Sequence, residues 1–403
     1  MSCVPEEAPM IFIKALLLYA AEHLLRLFWL LPLKKDQVLF ISYGGKQFSD
    51  SPKALYDLYQ AEGKCRLLWA ADSEREEKAM RAKGLETVRT GSFRYLRAFC
   101  QSGTVITNCH VATYLPVRKK QTVINTWHGM GPLKKVGLDA PSSTAYDRIF
   151  FRVQNRKYKA FLSGCAYSTD VMIRRSFDYH GTVLEWGLPR NAALFGDSGG
   201  IRLQVMRGLG IPEENDPYLI LYAPTYRESQ SAQGRNALDL AALVKDVSQR
   251  LQRPCVCLFR GHHMTRADLP AGCVDAGGWQ DMQDLLCAAD ALVTDYSSCM
   301  TDMAITRKPV VLYVPDEDDY MHERGMYWPM RRLPFPLCRT QEEVVKALTE
   351  ADGPAYQQAL DKYFDAIGLA EGPDSAERVY QYLQKNAPFP RDAVIGRKRQ
   401  VGA

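Results

Sequence analysis

The sequence predicts an α/β protein made of two parallel, doubly wound units that face a central cleft, preceded by an amphipathic helix. Three observations carry this. From residue 36 onward, short apolar runs alternate with segments of helical periodicity, the pattern of βα repeats and a parallel sheet. That pattern closes near residue 190 and restarts at Tyr218. The chain has 403 residues, 46% of them hydrophobic, enough to fill two cores.

Met10–Leu31 comes first. It matches a membrane span in length, but Lys14, Glu22, His23 and Arg26 interrupt it. At about 100° per residue these four fall within half of the helical circumference. Such one-sidedness, with Trp29 near the end, predicts a helix lying in the membrane interface. Packing against the first domain is the alternative. No small-residue cleavage site follows, which argues against a signal peptide.

Strands are then expected at Gln37–Ser42, Arg66–Ala70, Glu86–Arg89, Thr104–Thr107 and Thr122–Thr126. Helices are expected between them at Ser51–Ala61, Ser73–Lys83 and Ser92–Cys100, Pro52 falling in the first turn of the earliest. Arg148–Arg152 and Gly164–Ser168 continue the alternation, with a helix at Ser168–Ser176, and Thr182–Asn191 is the last strand of this half and its exit. The charged stretch Gly196–Asp216 carries the chain across. The second half reads as strands Tyr218–Tyr222, Val256–Phe259, Ala291–Thr294 and Pro309–Tyr313, with helices Asn236–Leu251, Met282–Ala289 and Ser298–Ile305. The resulting boundaries are 1–33 for a membrane-associating helix, 34–190 and 191–385 for the two units, and 386–403 for a mobile tail.

Composition narrows the function classes. A net charge of +5 is too weak to indicate nucleic acid, yet compatible with anionic lipid or phosphate ligands. The 11 cysteines are scattered through apolar runs without metal-ligand spacing, as expected of reduced core thiols. No acidic pair forms a dedicated metal cage, so the sequence points to no particular cofactor and a divalent cation would be an accessory; Asp316–Asp319 reads as a solvated turn.

The chemistry-bearing residues sit just past strands, where ligands bind in open α/β sheets. Val123-Ile-Asn125-Thr-Trp-His128-Gly-Met-Gly-Pro-Leu-Lys134-Lys-Val-Gly137 puts a titratable imidazole on a glycine-rich loop beside two lysines. Two readings stand: a proton-transfer residue facing an anionic substrate, or a structural histidine on an ordinary βα turn. Tyr222-Ala-Pro-Thr225-Tyr-Arg227, Phe259-Arg260-Gly-His262-His263 and Thr294-Asp295-Tyr-Ser297-Ser298 follow strands of the second half. In the last, a serine caps a helix whose free N–H groups suit a phosphate or diphosphate.

Together these segments, with Trp186-Gly-Leu-Pro-Arg190-Asn191 and Arg307-Lys-Pro309, resemble the CDP-glycerol glycerophosphotransferase family of teichoic acid synthesis, in order from about Val38 to Tyr380. Two segments depart from its usual pattern: His128-Gly-Met-Gly-Pro132 carries an inserted residue and lacks a hydroxyl, and Gly261 replaces a bulkier residue. The resemblance implies a GT-B-like fold of two Rossmann-like domains, the nucleotide mostly on the second. His128 is then similar to the family's general base, and His262 with Arg260 to groups that neutralise diphosphate charge. Ser297 and Ser298 resemble a phosphate cradle, with Asn125, Lys134, Thr225 and Asp295 as further substrate contacts. The implied reaction moves glycerol phosphate from CDP-glycerol to a polyprenyl-diphosphate-linked glycan at the inner leaflet, releasing CMP. The large polymerases of that family carry a long extra N-terminal region, so a primase-like role is expected here. Polymerisation of glycerol or ribitol phosphate, a GT-B nucleotide-sugar glycosyltransferase of capsule synthesis and a catalytically silent membrane scaffold are the competing readings. Homo-oligomerisation stays open.

Overall fold

Seven parallel strands form the first sheet of the computed structural model, which describes residues 8–132, 134–225, 238–261, 269–350 and 353–388, with side chains from residue 16. They are β1 (Lys34–Ile41), β2 (Arg66–Ala71), β3 (Thr87–Arg89), β4 (Ser102–Thr107), β5 (Thr122–Asn125), β6 (Ala160–Leu162) and β7 (Thr182–Leu184), in the order β3-β2-β1-β4-β5-β6-β7. The second sheet holds β8 (Tyr218–Ala223), β9 (Cys255–Phe259), β10 (Cys273–Asp275), β11 (Ala291–Thr294), β12 (Val310–Tyr313) and β13 (Leu337–Cys338). Its order is β10-β9-β8-β11-β12-β13, again all parallel. This is the two-sheet, GT-B-like α/β architecture. Central strands are continuous apolar runs because helices cover both faces. Val38, Leu39 and Phe40 are fully buried, and β1 pairs with β2 at Val38↔Leu67 and with β4 at Val38↔Thr104.

In each sheet the order reverses beside its first strand, between β1 and β4 and between β8 and β11. At such switch points the loops leaving adjacent strands diverge and open a crevice. The loops after β1, β4, β8 and β11, with the one after β5, therefore crowd toward one place.

Several elements differ from the sequence expectation. Arg148–Arg152 lies inside the helix Ala145–Asn155, which a Thr144/Asp147 capping box begins. The strand is instead β6, too short for its periodicity to register. Gly196–Asp216 contains the helix Gly199–Leu209. Ser168–Ser176 is a wide π-helix, seen in the bond from Phe177 N–H to the Met172 carbonyl. Asp316–Asp319 is no solvated turn: Glu317–Asp319 fill the first turn of a helix, where carboxylates complement the dipole, and Asp316 accepts a bond from Tyr296 Oη (3.0 Å). The tail 389–403 lies outside the described residues.

The first helix spans Ala8–Leu25, continued by a 3-10 turn at Arg26–Leu30. Glu22 pairs with Arg26 (3.1 Å) and faces a small groove against Tyr146, Ile149 and Phe150. Leu16, Leu17, Leu24, Leu27 and Leu30 project outward, 62–86% exposed, and Phe93 (70% exposed) extends the patch. No helix among the described residues is long and apolar enough to cross a membrane. Arg118 donates to the Phe28 and Leu31 carbonyls (2.6 and 2.8 Å), tying this segment down.

The two units are joined twice. Pro189–Phe195 crosses between them, and the helix Ser375–Asn386 returns from the second sheet to pack on the helix Asp50–Glu62 of the first, with Tyr380 stacked edge-on to Tyr59 (4.8 Å). Residues 375–386 thus belong spatially with the first unit.

Candidate active site

The loop after β5 begins with a strained turn. Trp127 sits at φ 52°, a region costly for a bulky residue. Asn125 holds it there: its Oδ1 accepts from Trp127 N–H (2.9 Å) and its Nδ2 donates to the Cys109 carbonyl (3.2 Å). Asn125 is fully buried. Both ends of its amide are bound to backbone, one on this loop and one on the loop after β4. Around Trp127 stand His110 (5.6 Å) and Phe177 (4.6 Å), and its ring lies 4.5 Å from His128.

His128 Nδ1 lies 2.8 Å from the Asn108 carbonyl. A carbonyl only accepts, so Nδ1 carries the proton and Nε2 keeps its lone pair. Burial lowers the ring's pKa below the ordinary histidine value, with help from Arg190 and Lys134 and against the Asn108 bond and the Asp50 charge. The imidazole is therefore neutral near pH 7. Nε2 has no hydrogen bond among the described residues, and the ring lines a cavity of about 240 Å³.

That cavity draws its walls from both units. Gly129, Gly131, Lys134 and Val136 continue the His128 side, Tyr167, Val171 and Met172 add the π-helix side, and Thr225, Tyr296, Ser297, Ser298 and Tyr327 close it from the second unit. Gly131 shows how closely the halves meet. At φ 92° it bonds Ser168 Oγ through its N–H (3.0 Å), and a Cβ there would lie 2.7 Å from Thr301 Oγ1. A glycine is thus needed where the loop touches the helix Cys299–Ile305. Farther along, Lys134 bridges to Met326 and Lys135 N–H donates to the Gly325 carbonyl (3.0 Å).

Of the other candidates, Ser297 and Ser298 stand at the start of the helix Cys299–Ile305, and Ser297 Oγ accepts weakly from Cys299 N–H (3.4 Å). Asp295 is 5% exposed and braces its neighbours: it accepts from Thr225 N–H (2.9 Å), Thr225 Oγ1 (2.5 Å) and Tyr296 N–H (2.6 Å). Thr225 itself faces the cavity. Arg260 is outside the cavity lining and donates to the Trp279 carbonyl (2.6 Å), its pKa lowered by burial. His262 lies outside the described residues. No group of three or more His, Cys, Asp or Glu among the described residues could hold a metal ion.

Sequence reasoning did not single out the polar joint beneath the cavity. Arg190 donates to Asp50 Oδ2 of the first unit and Asp302 Oδ2 of the second, each at 2.9 Å. Asn191 Nδ2 donates to Asp302 Oδ1 (3.0 Å) and Glu371 Oε1 (3.1 Å). Burial, reinforced by Asp302, pushes the Glu371 carboxyl up to about 8. The only signal was the motif Gly187-Leu-Pro-Arg-Asn191, which named Arg190 and Asn191 without their partners.

Comparison with known proteins places this geometry. The family model for CDP-glycerol:poly(glycerophosphate) glycerophosphotransferase matches residues 23–385. A teichoic acid poly(glycerol phosphate) polymerase of Bacillus subtilis (strain 168) is 28% identical over 88% of this chain, which spans about half (49%) of that relative's length. A polymerase of the same name from Bacillus spizizenii is 28% identical over 92% of this chain and 97% of its own. The teichoic acid glycerol-phosphate transferase of Staphylococcus aureus is 29% identical over 87% and 93%. Among solved structures, a histidine-to-asparagine variant of the wall teichoic acid polymerase TagF, with CDPG, superposes with a TM-score of 0.76 at 26% identity, covering 93% of this chain and 95% of that one. The chain belongs to the CDP-glycerol:poly(glycerophosphate) glycerophosphotransferase family, the enzymes of teichoic acid synthesis.

Proposed function

We propose that this protein transfers glycerol phosphate from CDP-glycerol to a hydroxyl of a polyprenyl-diphosphate-linked glycan at the cytoplasmic membrane face, adding the first unit and releasing CMP. The observation that carries this is a neutral His128, proton on Nδ1 and lone pair on Nε2, on one wall of a cleft whose opposite wall holds Ser297 and Ser298. In this reading Nε2 takes the proton of the acceptor hydroxyl as its oxygen attacks the β-phosphorus. The bond from that phosphorus to the bridging oxygen breaks, and CMP leaves with the electron pair. Phosphoryl transfer asks of the protein positioning and charge stabilisation. Ser297, Ser298, Thr225 and Lys134 supply donors and charge around the cavity, with Asp295 holding Thr225 in place. Arg260 and His262 are proposed to act at the nucleotide end.

Mass spectrometry of the product from CDP-glycerol and an undecaprenyl-diphosphate disaccharide analogue tests it. One added glycerol phosphate is expected; no addition overturns the reading. A ladder would support polymerisation, a second reading favoured by the Bacillus spizizenii polymerase, whose length this chain nearly spans. Size therefore does not separate the two roles.

Ser298→Ala is expected to weaken CDP-glycerol binding by roughly 1.5–3 kcal/mol, the worth of a hydrogen bond to a charged group. Calorimetry checks this, and unchanged affinity would put the diphosphate elsewhere. The outward leucines and Phe93 support peripheral membrane attachment. Deletion through Leu31 is expected to release the protein partly from anionic vesicles while sparing activity on a short, water-soluble acceptor. Undiminished vesicle binding would move the contact to the globular surface.

A further inference from the structure

A buried arginine between two units invites a physical question: why a charge, where apolar side chains would hold the joint at less desolvation cost? Arg190, Asp50 and Asp302 have side chains only 3–5% exposed. Asp50 also opens its helix at φ 66°, an unfavourable backbone that its own bonds must offset. Those bonds lead somewhere. Asp50 Oδ2 accepts from Tyr43 Oη (2.8 Å), and Tyr43 N–H donates to Asn108 Oδ1 (2.8 Å). The Asn108 carbonyl is the group that fixes His128 Nδ1. In the other direction Asp302 lies in the helix that starts after Ser298. A series of hydrogen-bonded residues thus runs from the imidazole to the helix on the opposite wall, with the Arg190 guanidinium bridging Asp50 and Asp302 across the joint.

We propose that Arg190 is a positioning residue: through Asp50 and Asp302 it sets the His128 loop against the Ser297–Ser298 wall, so that the base and the donor's diphosphate are held in register. This rests on the reading of His128 as the base. The planar guanidinium fork suits the task, since it engages two carboxylates on different bodies in one fixed geometry, which a lysine cannot reproduce. The same link places the Asp50 carboxylate where it favours the imidazolium that forms when Nε2 takes its proton. The other groups facing His128 are Arg190 and Lys134, both cationic, with Tyr43, Cys109 and His110, all held neutral by burial.

The test uses Asp50→Asn and Arg190→Lys in the full chain, with folding checked by circular dichroism. In Asp50→Asn, NMR titration of labelled histidine is expected to show His128 titrating at lower pH than in wild type, because the favouring carboxylate is gone. In both variants kcat is expected to fall about 10- to 100-fold, as for a small misplacement of reacting groups, while CDP-glycerol affinity measured by calorimetry stays within about threefold. An unmoved His128 titration in Asp50→Asn would overturn the proposal. So would an Arg190→Lys protein that loses donor affinity but keeps kcat, since the joint would then merely hold the donor domain. If one variant fails to fold, the other decides. The titration needs no substrate, so it still judges the link if CDP-glycerol proves not to be the donor.

Discussion

His128→Ala is expected to lower turnover by about 10² or more, the usual contribution of a positioned general base. The residue is placed for that effect in three ways. Its proton is parked on Nδ1 by the Asn108 carbonyl, its pKa is depressed by burial so that the neutral form dominates near pH 7, and its ring lines the cavity. The fold is expected to survive, because the backbone of the turn is held by Asn125 and by the packing of Trp127 rather than by the imidazole. Steady-state turnover, with circular dichroism as the control, checks this. An alanine variant that turns over like wild type removes His128 from the chemistry.

Arg190→Met carries the largest expected cost in stability, about 3–5 kcal/mol, the range for removing one partner of a buried ion pair. Two carboxylates would be left facing each other without their cation. The pH dependence has a definite sign. Burial already holds Asp302 above the ordinary carboxylate value despite Arg190, whereas Asp50 is held below it. Without Arg190 both rise in the folded state above their unfolded values. Between those two values the folded chain holds more protons than the unfolded one, so the variant loses stability as pH rises. Urea unfolding at about pH 4, near the ordinary carboxylate value, and at about pH 7 is the measurement, with the larger loss expected at the higher pH. A loss below about 1 kcal/mol at both would mean that the apolar side chain repacks the joint.

Much of the architecture was readable because its signals are local. The strands that became β1, β2, β4, β5, β8, β9, β11 and β12 are apolar runs bounded by turn residues, and periodicity finds those. The misses included three-residue strands such as β6 and β10, the helices Ala145–Asn155 and Gly199–Leu209, whose sequences carry Arg or Gly among their apolar residues, and the helices Glu317–Arg324, Gln341–Glu350, Pro354–Ile367 and Ser375–Asn386. At the site, His128, Ser297, Ser298, Thr225 and Lys134 do line one cavity. Asn125 does not. An amide beside a histidine looks the same in sequence whether it faces a ligand or braces a turn, and only its bond partners separate the two.

The sequence by itself determined which residues stand at strand ends, because alternation, turn chemistry and motif order are written within short windows of chain. It also determined the family. Only the tertiary structure decided that Leu16, Leu17 and Leu24 of the first helix face outward and Glu22 inward, that the helix Ser375–Asn386 returns to the first unit, and that Arg190 lies between Asp50 and Asp302. Those partners stand 140 and 112 residues from it. Burial and charge neutralisation arise only when such distant groups are brought into one water-excluded joint, and no local window of sequence contains that information.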